Sequence, residues 1–457
     1  MKKILLTLLL LLTAVTSSQA QTGRQRDSLA LREFYTNLDG ANWTNQTNWM
    51  SNNPINTWYG VTVNSSFNRV THLSLYNNGL LGSMPLSIGS LDSLSYVYFG
   101  FNSMSGTLPD TLFQLRALIS LDLYGQRYHD PHGFTGTLSY KFQQLTRLVT
   151  LDLGANKFSG TIPTFWNTML ALRALRIYQN EFTGTIPPEL ANATQLTELN
   201  ISSNYQLTAG ALPTAFASMP NLQFLYLGNC NINSLPNLSA DTSLFQLSLG
   251  GNQLTGAIPS WIGGLTKLQG LDLGGNNFSA DTIPGFIYNM TNLTSLQLYN
   301  CNRTGSISPL IGNLTNLSSL DLGGNQLTGQ IPSQFGTLSN MGYMNLSYNQ
   351  FTGALPFLNM PNVYYFYLNN NKLSGLPALT GMTGLGSFYA QNNQFTFEDI
   401  QPNIGRASNT FQYAPQDSVG ILRDTLVASG VGITMSVASI PVGGTAKSYQ
   451  WLKDGVT

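Results

Sequence analysis

The chain has 457 residues, of which 9 % are charged, and its 20 basic and 20 acidic residues give a formal net charge of zero. An ordinary globular protein carries about 25 % charged residues, so Asn, Gly, Ser, Thr and Tyr must replace charged groups at this surface. Without a basic excess, the composition argues against nucleic-acid binding.

The first twenty residues have the composition of a secretory signal peptide. Lys2 and Lys3 precede the apolar run Ile4–Leu12, and Ser18–Ala20 provides a small-residue cleavage site. A membrane anchor is the weaker interpretation, because the apolar run is too short to span a bilayer comfortably. The sequence therefore predicts a signal peptide over residues 1–20 and a mature chain, without a membrane span, that is secreted or held at the cell surface.

An N-terminal cap is predicted over residues 21–69. Arg24–Leu38 has helical apolar spacing, with Asp27 or Ser28 placed to cap the helix. Three tryptophans follow and are expected to form an apolar lid, because the end of a repeat stack needs one. These residues are Trp43, Trp49 and Trp58. A sugar-stacking surface is the functional alternative for them.

The next part of the chain is organised by a 24-residue unit, shown most clearly by Leu317–Asn340 (LSSLDLGGNQLTGQIPSQFGTLSN). Leu320 and Leu322 alternate with polar residues, which is the periodicity of a β-strand. Asn325 then interrupts an apolar series, so its side chain is expected to point inward and bond backbone groups of neighbouring turns. One such coil cannot bury its own apolar face, whereas stacked copies can, so the repetition predicts a solenoid.

Fourteen copies of the unit are recognisable between residues 70 and 405. Most begin 24 residues apart; the third step is 30 residues, with six extra residues inside Tyr124–Phe134, and three steps are 22 residues. The sheet is expected to start at Val70–Leu75 and to end near Gly386–Ala390. The copies begin at Val70, Leu94, Leu118, Leu148, Leu172, Leu196, Leu222, Leu244, Leu268, Leu293, Leu317, Met341, Val363 and Leu385.

The unit resembles the plant-type 24-residue leucine-rich repeat, whose distinguishing mark is the L-x-G-x-I-P segment present here at 327–332. The resemblance implies a right-handed solenoid with a parallel β-sheet on its concave face and turns or 3-10 segments on its convex face. The cap resembles the α-helical N-terminal cap of the same proteins. Trp58, Gly60 and Val61 match its C-x-W-x-G-V-x-C signature, but Asn56 and Val63 replace both cysteines. This family is a scaffold for many recognition tasks, so the resemblance is more specific for fold than for function.

Two cysteines, Cys230 and Cys301, stand at the position that Asn325 occupies in its own repeat. Three strand spacings, about 14 Å, would separate them, whereas a disulfide requires Cα atoms within about 7 Å. They are predicted to be free, buried thiols. Two other departures from the pattern have no account in the sequence: Arg303 replaces an apolar residue and Ser308 replaces the turn proline.

The repeat pattern ends near residue 405, and residues 406–417 are predicted to be a linker. Residues 418–457 alternate like strands, and the SYQWLKDG run at 448–455 resembles strand C of immunoglobulin-like modules in secreted bacterial proteins. An immunoglobulin-like sandwich needs about seven strands, of which about three or four are present. The sequence therefore predicts an incomplete immunoglobulin-like domain, the start of a β-sandwich, in a chain that is either a fragment or ends in an unstructured tail.

Motifs for catalysis or metal binding are weak. Asp122 and Asp152 occupy the same strand position in adjacent repeats, so a catalytic carboxylate pair or a calcium contact is conceivable. The favoured interpretation is that L-D-L is a common filler of this repeat. His129 and His132 could form a zinc site with His72, but zinc requires three or four ligands, and a polar loop is favoured. The chain is therefore predicted to be non-enzymatic, without cofactor or metal.

The informative residues lie between the leucines of each strand, where side chains of successive repeats form columns on the concave face. Exposed tyrosines offer a large contact area and a hydroxyl for hydrogen bonds, whereas the glycines of the middle repeats offer little. The predicted ligand-binding residues are His72, Tyr76, Tyr96, Tyr98, Phe101, Tyr124, Arg176 and Tyr178, with a rim loop of Arg127, Tyr128, His129 and His132. A competing patch consists of Tyr343, Tyr348, Tyr365, Tyr367 and Tyr389. Aromatic pairing that only stabilises the sheet is the structural alternative.

These features predict an extracellular recognition or adhesion module that binds a protein, peptide or glycan on the concave face. The N-terminal residues are expected to bind before the competing patch, because the long insertion can overhang them and insertions in repeat proteins often mark the binding side. Two alternatives stay open: a passive cell-surface spacer or matrix component, and the binding region of a larger enzyme whose catalytic domain lies beyond residue 457.

Overall fold

The computed structural model of the protein describes residues 23–66, 69–126, 131–240 and 243–417. The predicted signal peptide and the predicted immunoglobulin-like domain lie outside these residues, and so do Arg127, Tyr128 and His129 of the predicted rim loop. The chain divides into two compact units, one up to Leu254 and one from Thr255. Among the described residues, no helix has the length and apolar composition that a membrane crossing requires.

The first unit opens with the predicted helix, α1, which spans residues 23–37. Three tryptophans follow α1 along the chain. Trp49 packs against Trp43 and Trp58, with ring centroids 4.8 Å and 5.2 Å apart. All three rings are buried, so the predicted apolar lid is confirmed. The sugar-stacking alternative is wrong, because the rings are covered by the protein itself.

Asp27 and Ser28 do not cap the helix as predicted, because both lie inside α1. The buried Asp27 carboxylate accepts two hydrogen bonds of 3.1 Å from Arg69 and one of 2.7 Å from the backbone N–H of Val70. Burial raises the pKa of Asp27, and the Arg69 guanidinium opposes that rise. Asp27 therefore ties the cap to the first repeat.

A main sheet runs through the first unit, and each repeat contributes one short strand to it. Its strands are β1 Val61–Val63, β2 Val70–Ser74, β4 Tyr96–Tyr98, β6 Ser120–Asp122, β8 Thr150–Asp152, β10 Ala174–Arg176, β12 Glu198–Asn200, β14 Phe224–Tyr226 and β16 Gln246–Ser248, numbered along the chain with those of a second row. Pairing is parallel from β2 onward. The sheet begins one strand earlier than predicted, because β1 of the cap pairs antiparallel with β2.

A second row of strands follows the inward asparagine of most repeats in the first unit. Its members are β3 Leu81–Ser83, β5 Ser103–Gly106, β7 Gly133–Thr137, β9 Lys157–Thr161, β11 Glu181–Thr183, β13 Gly210–Ala211 and β15 Ile232–Ser234. Short 3-10 helices complete the turns, as the family resemblance predicted. In this unit they are Gly40–Asn42, Ile55–Thr57, Leu86–Ser90, Asp110–Gln114, Tyr140–Gln144, Phe165–Thr168, Pro188–Asn192 and Thr214–Ser218.

The second unit repeats this arrangement. Its main-sheet strands are β17 Gly270–Asp272, β18 Ser295–Gln297, β20 Ser319–Asp321, β22 Tyr343–Asn345, β24 Tyr365–Tyr367, β26 Ser387–Tyr389 and β27 Thr410–Gln412; the second row is β19 Thr304–Gly305, β21 Gln326–Gly329, β23 Gln350–Ala354 and β25 Lys372–Gly375. The helices are the 3-10 segments Ser260–Gly264, Gly285–Asn289, Pro309–Asn313, Ser333–Thr337 and Gln401–Asn403, and the α-helix α2 Phe397–Ile400. β27 pairs in parallel with β26, so part of the predicted linker 406–417 is instead a strand of the sheet.

The inward asparagine of the repeat forms a hydrogen-bonded ladder, as predicted. Asn102 shows the pattern: its Nδ2 donates to the carbonyl oxygens of Leu75 and Phe99, both at 2.8 Å. Its Oδ1 accepts from the backbone N–H groups of Asn78 and Leu80, both at 3.0 Å. One amide thus satisfies backbone groups of two successive repeats, because a buried polar group is costly unless it is bonded.

Cys230 and Cys301 take the ladder position in their repeats and are free, buried thiols, as predicted. The Cys230 Sγ lies 3.2 Å from the Ile201 carbonyl oxygen, and the Cys301 Sγ lies 3.0 Å from that of Leu273. Burial raises the pKa of Cys230 to about 12 and that of Cys301 to about 11. Both therefore act as small core residues, since a thiolate is needed for reactivity.

The two unexplained departures also have structural accounts. Arg303 is buried, and its guanidinium donates to the carbonyl oxygens of Cys301 at 2.9 Å and Thr282 at 3.3 Å. It therefore fills an apolar position while remaining hydrogen-bonded. Ser308 begins the 3-10 helix that follows it, because its Oγ accepts from the Leu310 N–H at 3.2 Å.

Candidate functional site

The predicted N-terminal residues lie on the exposed face of the main sheet in the first unit. Strand register sets His72 beside Tyr96 and Ser74 beside Tyr98, and sets Tyr98 beside Asp122. The His72 and Tyr96 rings stack with centroids 4.4 Å apart and planes inclined by 13°. The Tyr96 and Tyr98 centroids are 6.3 Å apart. The columns expected from the repeat alignment are therefore present.

A second aromatic group surrounds Gly100 at the end of these strands. The Phe101 centroid lies 5.6 Å from that of Tyr76 and 4.9 Å from that of Tyr124. The hydroxyl oxygens of Tyr76 and Tyr124 are 3.3 Å apart. Tyr76 remains 46 % exposed, so this group presents an open face. We call these two groups together the N-terminal aromatic patch, which consists of His72, Tyr76, Tyr96, Tyr98, Phe101 and Tyr124.

Glycine has a structural role that the sequence did not indicate. The Tyr124 ring lies so close to Gly100 that a Cβ added there would be 2.6 Å from a ring carbon. The Tyr178 ring covers Gly154 in the same way, at 2.1 Å. Each glycine therefore lets the tyrosine of the next repeat lie flat on the sheet. The rings pack on the sheet and are also partly exposed. They can therefore stabilise the sheet and still be available to a ligand.

A charged band continues the column beyond the aromatic residues. Register sets Asp122 beside Asp152 and Asp152 beside Arg176. Arg176 donates through Nε to Glu198 Oε1 at 2.5 Å and through Nη2 to Glu198 Oε2. Its Nη1 lies 3.6 Å from Asp152 Oδ2. The predicted binding residue Arg176 is therefore already paired, and its partner Glu198, one strand farther along, was missed because it stands in a different column.

The two aspartates titrate near neutral pH. Burial raises the pKa of Asp122 to about 7, with the neighbouring Asp152 adding to the rise and Arg176 opposing it. Burial also raises the pKa of Asp152 to about 6, and Arg176 opposes that rise. Burial and the hydrogen bond to Tyr76 raise the pKa of the Tyr124 hydroxyl. The face is therefore most acidic above neutral pH.

The recurrence of aspartate at this strand position has a local cause. Asp122 Oδ1 accepts from the Tyr124 N–H at 3.1 Å, and Asp152 Oδ1 accepts from the Gly154 N–H at 3.0 Å. Asn200 makes the same turn contact, at 3.1 Å to the Ser202 N–H. The side chain closes the turn after the strand, which explains the recurring L-D-L. Among the described residues, no cluster of three or more His, Cys, Asp or Glu could hold a metal ion.

The competing residues form a second aromatic surface in the second unit, named here the C-terminal tyrosine patch: Tyr343, Tyr365, Tyr367 and Tyr389. Tyr367 stacks on Tyr389 with centroids 4.8 Å apart and planes inclined by 7°. Tyr343 lies 5.7 Å from Tyr367 and donates its hydroxyl to Asp321 Oδ2 at 3.1 Å. Burial, followed by the Asp321 charge, raises the pKa of Tyr343. Register and ring contacts thus bring four of the five predicted residues together.

Two further predicted residues, Tyr348 and His132, are not brought into either patch. Tyr348 follows β22 and is 61 % exposed, and it takes no part in the ring contacts of the four other tyrosines. His132 immediately precedes β7 in the second row of strands. In the described part of the chain, no hydrogen bond, ion pair or ring contact joins His132 to the N-terminal aromatic patch. A rim formed by the other three loop residues remains a prediction.

Sequence models described as leucine rich repeat match residues 220–278 and residues 69–91, 292–314 and 316–338. The chain therefore contains leucine-rich repeats. It is 36 % identical to receptor-like protein kinase 7 of Arabidopsis thaliana over 187 residues, which are 40 % of this chain and 16 % of that protein. It is 30 % identical to receptor-like protein 39 of the same plant over 242 residues, which are 46 % of this chain and 24 % of that protein. The chain thus matches less than a quarter of either relative.

Several solved structures share the fold. The Arabidopsis receptor kinase HAESA, in complex with the peptide hormone IDA and the co-receptor SERK1, matches with a TM-score of 0.68 and 30 % identity over 81 % of this chain and 66 % of that chain. The complex of PEPR1 with AtPEP1 matches with a TM-score of 0.61 and 26 % identity over 86 % of this chain and 59 % of that one. A leucine-rich repeat protein of Leptospira interrogans matches with a TM-score of 0.51 and 24 % identity over 74 % of this chain and 94 % of that one, which supports the fold alone.

Proposed function

We propose that this protein is an extracellular recognition module that binds a peptide, or an extended segment of a protein, on the N-terminal aromatic patch. The observation that carries the proposal is the combination of open aromatic rings and carboxylates on one face of β2, β4, β6 and β8. Aromatic side chains supply much of the binding energy in protein interfaces. One structural relative, HAESA, is in complex with the peptide hormone IDA, which supports a peptide ligand.

The test starts from the full chain and a random twelve-residue peptide library displayed on phage, with a glycan array run in parallel. Affinities of enriched peptides are then compared between wild type, Tyr98→Ala and Tyr365→Ala. Tyr98 is preferred to Tyr124 as a probe, because Tyr124 also packs on Phe101 and covers Gly100. A central aromatic contact contributes about 2 kcal/mol, so Tyr98→Ala is expected to weaken binding at least about tenfold.

Tyr365→Ala is the matched control, since it removes a partly exposed tyrosine of the C-terminal tyrosine patch. It is expected to leave the affinity within about twofold. Loss of binding in Tyr365→Ala, with binding retained in Tyr98→Ala, would place the ligand in the second unit. A chain that binds glycans and no peptide would replace the peptide proposal. A chain that binds neither would favour the passive spacer or matrix component.

A further inference from the structure

The charged band beside the N-terminal aromatic patch carries more acid than base. Asp122 and Asp152 lie on the neighbouring strands β6 and β8, Arg176 follows on β10, and Glu198 follows on β12. Arg176 is engaged mainly by Glu198 and more loosely by Asp152. Among the described residues, Asp122 forms no ion pair. The column therefore holds two adjacent carboxylates before Arg176, the half-buried Asp122 and the buried Asp152, and they share at most one loosely held guanidinium.

The fold does not need these charges. The turn contact made by Asp122 and Asp152 is made equally by the neutral Asn200, and by Asn345 in the second unit at 3.0 Å to the Ser347 N–H. Burial opposes ionisation of both aspartates, so a charge here has an energetic cost that an asparagine would avoid. Carboxylates that the turn does not require, at the edge of an open aromatic surface, point to a cationic partner.

We propose that the ligand carries a lysine or arginine side chain whose cationic end binds between Asp122 and Asp152, while an apolar side chain two positions away packs on Tyr98. This inference rests on the proposed function, because it names the chemistry of the peptide bound there. The charges are complementary, and Tyr98 and Tyr124 lie on one side of the carboxylates with rings that attract cations.

The spacing of the column supports an apolar-x-basic pattern, in either chain direction. Tyr98, Asp122 and Asp152 occupy one column on successive strands. A point midway between the two carboxylates is therefore one and a half strand spacings, about 7 Å, from Tyr98. Side chains i and i+2 of an extended peptide point the same way and are also about 7 Å apart. An extended peptide that runs across the strands can therefore place one side chain on Tyr98 and the side chain two positions away between the two carboxylates.

Binding of the cation is expected to depend on pH. The groups facing the pair are Tyr98 and Tyr124 on one side and Arg176 and Glu198 on the other. A protonated Asp122 cannot pair with a cation, so affinity increases as pH rises through its pKa of about 7. Between pH 5.5 and pH 8 the affinity of wild type is expected to rise at least about tenfold, and that of Asp122→Asn by at most about fourfold, because Asp152 still titrates with a pKa of about 6.

The experiment uses the full chain and peptides selected from the random twelve-residue phage library at pH 8. Enriched peptides are expected to share a Lys or Arg two positions from an aromatic or large aliphatic residue. Replacing that Lys or Arg by norleucine is expected to weaken binding at least about tenfold, as is Asp122→Asn. Asp122→Asn is chosen because asparagine can keep the turn contact. Asp321→Asn, at the equivalent position of the second unit, is the matched control and is expected to change peptide affinity by less than about twofold.

Each outcome separates the inference from the proposed function. Peptides that lose affinity in Tyr98→Ala but lack Lys or Arg, and bind Asp122→Asn as well as wild type, would overturn the cation site and leave the peptide-binding face intact. Peptides unaffected by Tyr98→Ala would overturn the proposed function itself. Failure to enrich any peptide at pH 8 would overturn both.

Discussion

The N-terminal aromatic patch and the C-terminal tyrosine patch look alike in the sequence but differ in the state of one aspartate. Asp122 and Asp321 occupy the same strand position in their repeats. Asp321 accepts hydrogen bonds from the Gly323 N–H, the Tyr343 hydroxyl and the Asn345 side chain, at 2.9, 3.1 and 3.1 Å. Among the described residues, Asp122 accepts only from the Tyr124 N–H. The two patches are alike in their number of aromatic residues, so we base the proposed binding surface on the hydrogen-bonding capacity that is left unused beside the aromatic rings.

This difference implies that the C-terminal tyrosine patch is the more self-contained of the two. Its rings stack on one another, and its acidic residue, Asp321, accepts hydrogen bonds from the Tyr343 hydroxyl and the Asn345 amide of the next strand. The N-terminal aromatic patch leaves the 46 % exposed Tyr76 facing outward, beside the half-buried Asp122 carboxylate, which among the described residues accepts only from the Tyr124 N–H.

The largest expected effect comes from adding a methyl group beneath a tyrosine ring in each patch region. A Cβ at Gly100 would be 2.6 Å from the Tyr124 ring, and one at Gly386 would be 2.4 Å from the Tyr364 ring. Both Gly100→Ala and Gly386→Ala are expected to lower the free energy of unfolding by about 1–3 kcal/mol. Only Gly100→Ala is expected to weaken peptide binding as well, by about tenfold. Denaturant unfolding and titration calorimetry measure the two effects; equal loss of affinity in both variants would remove the distinction between the patches.

The next effect concerns the hydroxyl that occupies Asp321. Tyr343→Phe removes the 3.1 Å hydrogen bond from Tyr343 to Asp321, which is expected to lower the free energy of unfolding by about 1–2 kcal/mol. Peptide affinity is expected to stay unchanged, because the proposed binding surface lies on the N-terminal aromatic patch. The variant Asp321→Asn tests the same contact by changing the acceptor instead of the donor, with the free energy of unfolding as the measurement. A gain of affinity for cationic peptides in Tyr343→Phe would show that the freed Asp321 carboxylate can act as Asp122 does.

The pH dependence of stability follows from the raised pKa values of Asp122, about 7, and Asp152, about 6. Both exceed the ordinary aspartate pKa of about 3.9 expected in the unfolded chain. The folded state therefore binds protons more tightly, and the contribution of both groups to stability decreases as pH rises from about 4 to about 7. Thermal unfolding midpoints between pH 5 and pH 8 are expected to fall less in Asp122→Asn than in wild type. Identical pH profiles would mean that burial does not hold back ionisation of Asp122.

The smallest effect is expected from Tyr124→Phe. It removes the 3.3 Å contact between the Tyr124 and Tyr76 hydroxyl groups but keeps the ring over Gly100. The free energy of unfolding is expected to change by less than about 0.5 kcal/mol, and affinity by less than about threefold, because both hydroxyls remain accessible to water. A tenfold loss of affinity would instead assign the Tyr124 hydroxyl a direct role in binding.

The repeat pattern predicts most of the fold because each copy places the same residue types at the same positions. The period located the strands, the inward Asn325 and the buried thiols of Cys230 and Cys301. The columns of aromatic residues followed from the same alignment, which is why the two candidate patches were found. What repeats 14 times is therefore recoverable from one sequence.

Features that occur once were missed, because they leave no period in the sequence. β1 and β27 extend the sheets through residues outside the repeat, and Asp27 pairs with Arg69 across 42 positions. Glu198 pairs with Arg176 from a neighbouring column, so aligning identical positions did not reveal it. The turn contact of Asp122 was missed for the opposite reason. Aspartate recurs so often at this strand position that it was interpreted as a filler of the repeat, although its side chain accepts a hydrogen bond from the turn.

The most direct test of which patch binds is hydroxyl-radical footprinting of the full chain, with and without a saturating selected peptide, read by mass spectrometry at individual tyrosines. We expect the peptide to protect Tyr96, Tyr98 and Tyr124, while oxidation of Tyr343, Tyr365 and Tyr367 stays unchanged. Protection confined to the C-terminal tyrosines would contradict it.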